Sequence, residues 1–327
     1  MDVRHNLMKE VSPSVSVKPS FKITIVGAGK VGMSCAFCLL QKNLADELVL
    51  VDKLADLVKG EAMDLLHGSL FLKSRITADT DYKVTQDSKV CIVCAGMQVK
   101  GERADTNQLQ NNIAAFKEII PQLAKYSPAA ILLIVTQPVD LLTYVAWKLS
   151  GFPKNRVIGT GTNLDNARFR YLLGTELNIN PENVHAYIVG EQGCGSIPIW
   201  GGTNVAGINV KDLDEKLSSE HGHEIHRRVI ESGQEVVRLK GSISWAIGLS
   251  VTNILNAILK NLRCIHLVST NAKDQHDIKS DVFLSLPCIL GSPGVCGIVR
   301  QPLEEEEERK LRCGVEKLLK AQQEVVL

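Results

Sequence analysis

The sequence predicts an α/β protein whose N-terminal half forms a doubly wound parallel sheet. From Phe21 onwards, β-rich runs alternate with segments of helical period: FKITIVG, VGMSCAFCLLQKN, DELVLVD and KVCIVCAG come in turn, and AILLIVT with DLLTYVAWKLS follow. This alternation is typical of βαβ units on a parallel sheet. A second observation is the glycine-rich turn that joins the first strand to the first helix. The third is length, since 327 residues correspond to about two domains.

Composition and charge exclude several classes of protein. The 37 Lys and Arg against 36 Asp and Glu give a formal net charge of +1, so the chain carries no electrostatic footprint for nucleic acid or an anionic membrane. Its longest apolar runs fall far short of the roughly 20 residues that a membrane span needs. The first 20 residues mix charges and prolines, which is unlike a secretory signal. We therefore expect a cytoplasmic protein with a small-molecule or protein partner.

A change in the secondary-structure pattern of the sequence after Pro153 sets the predicted domain boundaries. Glycine-rich segments that mix helix with short strand replace the regular alternation, and a second, α+β domain is expected over residues 163–327. The parallel-sheet domain then covers residues 21–162, behind a polar arm of residues 1–20. The last helix opens after Pro302 with the run Glu304 to Glu308, which is expected to form a solvated first turn that complements the helix dipole.

Nine cysteines include two CxxC pairs, Cys35/Cys38 and Cys91/Cys94. A zinc site or a disulfide is one interpretation. Against it, residues three apart on the strand KVCIVCAG point to opposite faces, and the first pair lies in an apolar helical segment. We therefore predict no metal and small, buried, reduced cysteines.

The turn after the first strand has the pattern GxGxxG in the context that gives this pattern meaning. Its six residues are Gly27, Ala28, Gly29, Lys30, Val31 and Gly32. The first glycine permits the tight turn, the second lets the backbone approach a pyrophosphate, and the third allows close packing of the helix. Asp52 ends the second strand, where a carboxylate binds the adenosine ribose hydroxyls and repels a 2′-phosphate. NAD is therefore the predicted cofactor, against the alternative of a glycine turn without a ligand.

With that turn placed, further segments become recognisable. They include LADELVLVD, KGEAMDLLHGSLFL, YSPAAILLIV, SWAIGLSV and DVFLSLPCILG, and by them the chain resembles the animal-type L-lactate dehydrogenases over nearly its whole length. The resemblance implies the lactate/malate dehydrogenase fold: a Rossmann domain and an α+β catalytic-type domain, with a helix of about residues 246–262 packed back on the first. It also implies an oligomerisation arm, a homotetramer, and the reaction of (S)-lactate with NAD to give pyruvate and NADH.

The family's proton carrier is a histidine in a Gly-Glu-His-Gly turn, and this chain has Gln192 in its place. A glutamine amide donates and accepts hydrogen bonds but does not exchange a proton near neutrality. No other histidine is an attractive substitute. His185 is expected on the same strand as Gln192 but on its opposite face, and His67 matches a non-catalytic family segment. His221, His223 and His226 lie on a polar helix whose solvated face explains them.

A mobile loop in the family carries an arginine that polarises the substrate carbonyl. Counted without gaps, Asp105 occupies the position of that arginine here. Lys100 stands where the family distinguishes lactate from malate enzymes, and Gln98 stands in place of an arginine near the cofactor. Arg103 lies two residues from the lost arginine and would take over only in another loop register.

The remaining expected site residues include both departures and retentions. Gln137 replaces the asparagine that reaches the nicotinamide and the substrate oxygen, and Ile243 replaces a threonine near the substrate. Asp165, which orients the imidazole in the family, and Arg168, which grips the substrate carboxylate, are retained. They lie three apart on one helix face, so they could also simply pair with each other.

Two hypotheses of different class follow from these residues. The first is a lactate-dehydrogenase-like pseudoenzyme that holds NAD and a small 2-hydroxy or 2-keto carboxylate, with a regulatory or scaffold role or as a subunit of a mixed tetramer with an active enzyme. The alternative is an active NAD-dependent dehydrogenase for lactate or malate with an altered proton relay. Gln192 together with Asp105 favours the first.

Overall fold

The computed structural model describes residues 21–96, 106–213 and 220–325. Its N-terminal half alternates strand and helix as the sequence predicts. The strands are β1 (Lys22–Val26), β2 (Glu47–Val51), β3 (Arg75–Asp79), β4 (Val90–Val93), β5 (Ile131–Ile134) and β6 (Val157–Gly159), and the helices are α1 (Lys30–Gln41), α2 (Ala55–His67), α3 (Thr106–Tyr126) and α4 (Val139–Ser150).

These six strands pair in parallel in the order β3-β2-β1-β4-β5-β6. Both faces of the sheet are covered by helices, which explains why every residue of β2 and β4 is buried and why β4 is apolar throughout rather than alternating. Ile23 and Leu48 belong to one apolar cluster, and Val26 and Val49 belong to a second cluster with Phe116 of α3. The crossover from β1 to β4 places the carboxyl ends of these strands around a crevice, which is where ligands bind in open α/β sheets.

The second half adds five helices and eight strands within the described ranges. The helices are α5 (Asn163–Glu176), α6 (Val210–Leu213), α7 (Glu220–Lys240), α8 (Trp245–Leu259) and α9 (Glu305–Gln323), and the strands are β7 (Val184–His185), β8 (Ile188–Gly190), β9 (Ser196–Pro198), β10 (Asn204–Val205), β11 (Ile208–Asn209), β12 (Cys264–Asn271), β13 (Phe283–Gly291) and β14 (Gly294–Ile298).

Antiparallel pairing continues the large sheet beyond β6, through β12, β13, β8 and β9, with β14 also on β13. The short strands β7, β10 and β11 form a separate small sheet. A third apolar cluster lies beneath it, where Phe169 of α5 meets Trp200 edge-on at 5.2 Å between ring centroids. The fold is therefore an α/β architecture, with a parallel N-terminal part and an antiparallel C-terminal part on one continuous sheet.

Helix α8 lies against α1, the helix that begins at the glycine turn. Ser34 donates a hydrogen bond from its hydroxyl to the Ser244 carbonyl oxygen at 3.0 Å. A Cβ on Gly248 would lie 2.5 Å from the Ser34 Oγ atom, so only glycine permits this approach. The helix from the second half therefore supports the first helix of the cofactor domain.

Three local expectations prove wrong. His185 lies on β7 of the small sheet, whereas Gln192 follows β8 of the large one, so the two do not share a strand. His226 is not on a solvated face, since it is largely buried and lies 3.0 Å from the Ser196 hydroxyl. The glutamate run is only partly solvated: Glu307 is 6 % exposed, where it accepts the backbone N–H groups of Trp200 and Glu304.

Within the described ranges, none of the helices combines the length and the hydropathy that a membrane span requires.

Candidate functional site

The three glycines of the turn have different steric surroundings. Gly27 has φ +100°, and a Cβ there would lie 2.7 Å from the Ala95 nitrogen. A Cβ on Gly32 would lie 1.9 Å from the Gly27 carbonyl oxygen. Gly29 differs, because nothing lies within 4 Å of its added Cβ. The turn therefore packs tightly against the protein at Gly27 and Gly32 and stays open at Gly29.

That open position is the N-cap of α1, and no side chain caps the helix or adds an acid to its first turn. The unpaired N–H groups and the helix dipole are thus available for an anion. Lys30 and Val31 begin the helix, and Ala28 is buried behind it. These residues fit a dinucleotide pyrophosphate over Gly29.

Asp52 follows β2 at the same edge of the sheet. Its Oδ2 accepts the Ala28 N–H at 2.8 Å and its Oδ1 accepts the Leu54 N–H at 3.0 Å. These two bonds orient the carboxylate beside the glycine turn and leave each oxygen a further lone pair for a ribose hydroxyl. Asp52 therefore has a structural role in the turn as well as the position expected of a ribose-binding residue.

Gln137 lies at the carboxyl end of β5 and precedes Pro138 through a cis peptide bond. Its side chain turns to the start of α4, where Oε1 accepts the Val139 N–H at 3.1 Å. Its carbonyl oxygen accepts a hydrogen bond from Asn112 at 3.0 Å. The longer side chain thus caps a helix in this structure.

Gln192 occupies the loop between β8 and β9, and around it lie the two retained family residues. Arg168 donates from Nη1 to Asp165 Oδ1 at 2.8 Å, with both side chains largely buried. Burial raises the pKa of Asp165, while Arg168 and the Gln192 side chain lower it. Asp165 and Arg168 therefore pair with each other, and the glutamine lies beside the carboxylate that orients an imidazole in the family.

A buried carboxyl group that sequence reasoning missed completes this centre. Asp140 is 3 % exposed, and its Oδ2 accepts the backbone N–H of Gln192 at 2.8 Å. Burial raises the pKa of Asp140 to about 7; Ser269 and the Gln192 N–H lower it, and the charges of Glu191 and Asp165 raise it again. A lone carboxylate at the start of the apolar segment VDLLTYVAW was the available signal, because a buried charge at such a place needs a partner.

Arg168 and Ile243 both approach Gly233 of α7. A Cβ on Gly233 would meet Arg168 Nη2 at 3.6 Å and Ile243 Cδ1 at 4.0 Å. The guanidinium therefore borders a helix position without a side chain, and the apolar Ile243 approaches the same position, where a hydroxyl was the family expectation.

Four of the expected loop residues, Gln98, Lys100, Arg103 and Asp105, lie outside the described residues. His67 is exposed at the end of α2 and His221 pairs with Glu176, whose carboxylate oxygen lies 3.0 Å away. Among the expected site residues that the structure does describe, the glycine turn, Asp52 and Gln137 follow the carboxyl ends of β1, β2 and β5, whereas Asp165 and Arg168 lie on α5.

All nine cysteines are free thiols. Cys35 of the first CxxC pair interacts with Cys94 of the second, and this hydrogen bond, followed by burial, raises the pKa of Cys35 well above its usual value. In the described part of the chain, no group of three or more His, Cys, Asp or Glu side chains is arranged to hold a metal ion.

Comparison with known proteins assigns the two halves separately. Residues 21–159 match the family model "lactate/malate dehydrogenase, NAD binding domain", and residues 162–326 match "lactate/malate dehydrogenase, alpha/beta C-terminal domain". The L-lactate dehydrogenase A chains of Champsocephalus gunnari and Trematomus bernacchii are each 47 % identical to this chain, and that of Parachaenichthys charcoti is 46 % identical, over the whole length of both chains in each pair. The cofactor expected from the glycine turn, NAD, is thereby confirmed.

Proposed function

The chain belongs to the lactate/malate dehydrogenase family, and we propose that it is an L-lactate-dehydrogenase-like protein that binds NAD and a small carboxylate but has lost most of the family's catalytic power. The observation that carries the proposal is the centre around Gln192. Asp140 accepts the backbone N–H of Gln192 there, Asp165 interacts with its side-chain amide, and Arg168 already pairs with Asp165.

In this proposal the cofactor is held by the glycine turn, by the N-terminus of α1 and by Asp52. When bound, NAD supplies the nicotinamide that accepts or donates the hydride in the family reaction. Arg168 binds the carboxylate of the 2-hydroxy or 2-keto acid, using the N–H groups that Asp165 does not occupy. Gln192 hydrogen-bonds the substrate oxygen at C2 without exchanging a proton.

The expected loss of rate follows from the missing groups. General acid–base catalysis contributes about 10²–10⁴-fold, and one donor that stabilises developing charge contributes about 10²–10³-fold. The two losses need not multiply, because residues that act as a unit are not additive. A deficit of at least about 10²-fold in turnover is therefore expected from Gln192 alone.

A second candidate, an active 2-hydroxy-acid dehydrogenase for lactate or malate, is favoured by one observation. The Asp165 carboxyl group is buried, has a raised pKa and lies beside the Gln192 side chain, so it is able to hold a proton next to that amide. Arg168 opposes this function, because its positive charge favours the ionised carboxylate.

For assembly we propose a homotetramer, or a mixed tetramer with an active lactate dehydrogenase. Support comes from the apolar surface around the end of α2, where Leu70 is 92 % and Phe71 is 86 % exposed. Large apolar side chains exposed together mark association surfaces. Nine free thiols agree with a reducing, cytoplasmic location.

The test combines binding with turnover. Fluorescence titration is expected to show NADH binding, while reduction of pyruvate or oxaloacetate proceeds at least about 10²-fold more slowly than in ordinary family members. Turnover at the family's usual rate contradicts the pseudoenzyme and supports the second candidate. Absence of any response to millimolar NADH contradicts both.

A further inference from the structure

Among the carboxyl groups around Gln192, Asp140 has the fewest hydrogen-bond donors and positive charges to stabilise its ionised form. Its Oδ2 accepts the Gln192 N–H, but its Oδ1 has no well-formed hydrogen bond among the described residues. The buried hydroxyl of Ser269 on β12, which faces this carboxyl group, has no well-formed hydrogen bond either. A fully buried ionised carboxylate with so few donors is costly. The group therefore resists ionisation near neutrality.

The two charged groups that act electrostatically on Asp140 are both acidic and lie on two neighbouring elements. Asp165 faces it from α5 and Glu191 from the β8–β9 loop. Arg168 is engaged by Asp165, and Lys317 of α9 acts on Glu191 rather than on Asp140. Within the described residues, Asp140 thus has acidic neighbours and no cation of its own.

A carboxylate ligand at Arg168 would bring a further negative charge into this centre. One guanidinium would then serve two carboxylates, the ligand's and that of Asp165, with Asp140 close behind. In a buried site, like charges disfavour each other's ionised forms strongly. The lowest-energy adjustment is to protonate the carboxyl group that is most buried and least compensated.

We propose that Asp140 takes up one proton from solvent when a carboxylate binds at Arg168, so that ligand binding is linked to protons in the absence of a histidine. The inference rests on the proposed function, because it takes Arg168 as the anchor of the ligand. Asp140 is a positioning residue: it acts through the Gln192 peptide and the charge of the centre, without touching the ligand.

Asp140 suits this role better than either neighbour. Asp165 has Arg168 at 2.8 Å, which stabilises its charged form. Glu191 is less buried and has Lys317 nearby. Of these three carboxyl groups, only Asp140 is both buried and without a neighbouring cation among the described residues.

The sign of the linkage follows from the protonation step. Below the pKa of Asp140 the proton is already present, so affinity for an anion is independent of pH. Above that pKa each binding event must draw a proton from solution, so affinity falls by up to about tenfold per pH unit.

The experiment uses the full-length protein saturated with NADH and oxamate as the probe, because oxamate is a singly charged carboxylate throughout the range. Its dissociation constant is measured from pH 6 to pH 8.5, and calorimetry in buffers of different ionisation enthalpy counts the protons taken up. We expect a flat dissociation constant near pH 6 and, near pH 8, uptake approaching one proton with a dissociation constant roughly tenfold higher.

The variant Asp140→Asn keeps an oxygen for the Gln192 N–H but cannot ionise, so its affinity is expected to be insensitive to pH. Asp281→Asn, the same change at an exposed pair with Lys154, is the matched control and should retain the wild-type profile. A pH-independent wild type, or pH dependence that persists in Asp140→Asn, overturns the inference; the proton count in the wild type decides even if the variant fails to fold. NADH binding without oxamate binding at any pH refutes the carboxylate site of the proposed function itself, and the inference with it.

Discussion

The glycine turn permits a sharp separation of folding from cofactor binding, through the two variants Gly29→Ala and Gly32→Ala. Both add one methyl group within four residues of each other. The structure assigns them opposite surroundings, since an added Cβ meets nothing within 4 Å at Gly29 and lies 1.9 Å from the Gly27 oxygen at Gly32.

The magnitudes follow from these distances. Ordinary contact begins at 3.4 Å, so at Gly32 the neighbouring backbone must move by about 1.5 Å, the difference between 3.4 and 1.9 Å. Overpacking against backbone costs about 3 kcal/mol or more when nothing flexible can give way. At Gly29, φ is −80° and ψ is −176°, a conformation open to alanine. The loss of an N-cap glycine there costs less than about 1 kcal/mol of unfolding free energy.

Gly29→Ala, which should leave the fold stable, should weaken cofactor binding. A methyl group over the N-terminus of α1 fills the space that the pyrophosphate needs, so NADH affinity should fall at least tenfold while the fold stays intact. Urea unfolding measures stability, and fluorescence titration measures affinity. A Gly29→Ala protein that binds NADH like the wild type would refute the placement of the phosphate, and a fully stable Gly32→Ala protein would refute the packing argument.

Three further outcomes are expected. The double variant Gln192→His, Asp105→Arg should increase the rate of pyruvate reduction by more than the two single variants combined. The restored histidine and the restored arginine would stabilise the same transition state. Additive gains in steady-state assays would contradict this. Asp52→Ser should weaken NADH binding and reduce the preference for NADH over NADPH. Thermal stability should also fall, because the hydrogen bond to the Ala28 N–H is lost. An unchanged ratio of NADH to NADPH affinity would contradict the ribose-binding role of Asp52. Asp140→Asn should raise the free energy of unfolding at pH 8 more than at pH 5. The pKa of Asp140 in the folded protein, about 7, exceeds the usual 3.8 of an aspartate in the unfolded chain. The free energy of unfolding of the wild type therefore falls as pH rises between these two values, because the unfolded state ionises first. Equal urea-unfolding gains at both pH values would contradict the assignment.

Much of the fold follows from local pattern. The buried strands β4 and β5 are continuous apolar runs, and β1 and β2 are apolar over most of their length, as a parallel sheet covered on both faces requires. The glycine turn is equally local in part, because Gly27 is required by its positive φ and Gly32 by the nearby Gly27 carbonyl oxygen. These features were predictable from sequence because each is encoded by neighbouring residues.

The centre around Gln192 was predictable only in part. The sequence by itself determined that a non-titrating amide replaces the family's histidine and that Asp165 and Arg168 share a helix face, since identity and helical spacing are properties of the chain alone. That Arg168 pairs with Asp165, that His226 is half-buried and Glu307 buried, and that Asp140 lies behind Gln192 were decided by the tertiary structure. Asp140 and Gln192 are 52 residues apart. Burial and charge at such a distance depend on which elements the sheet brings together, and no local pattern records that.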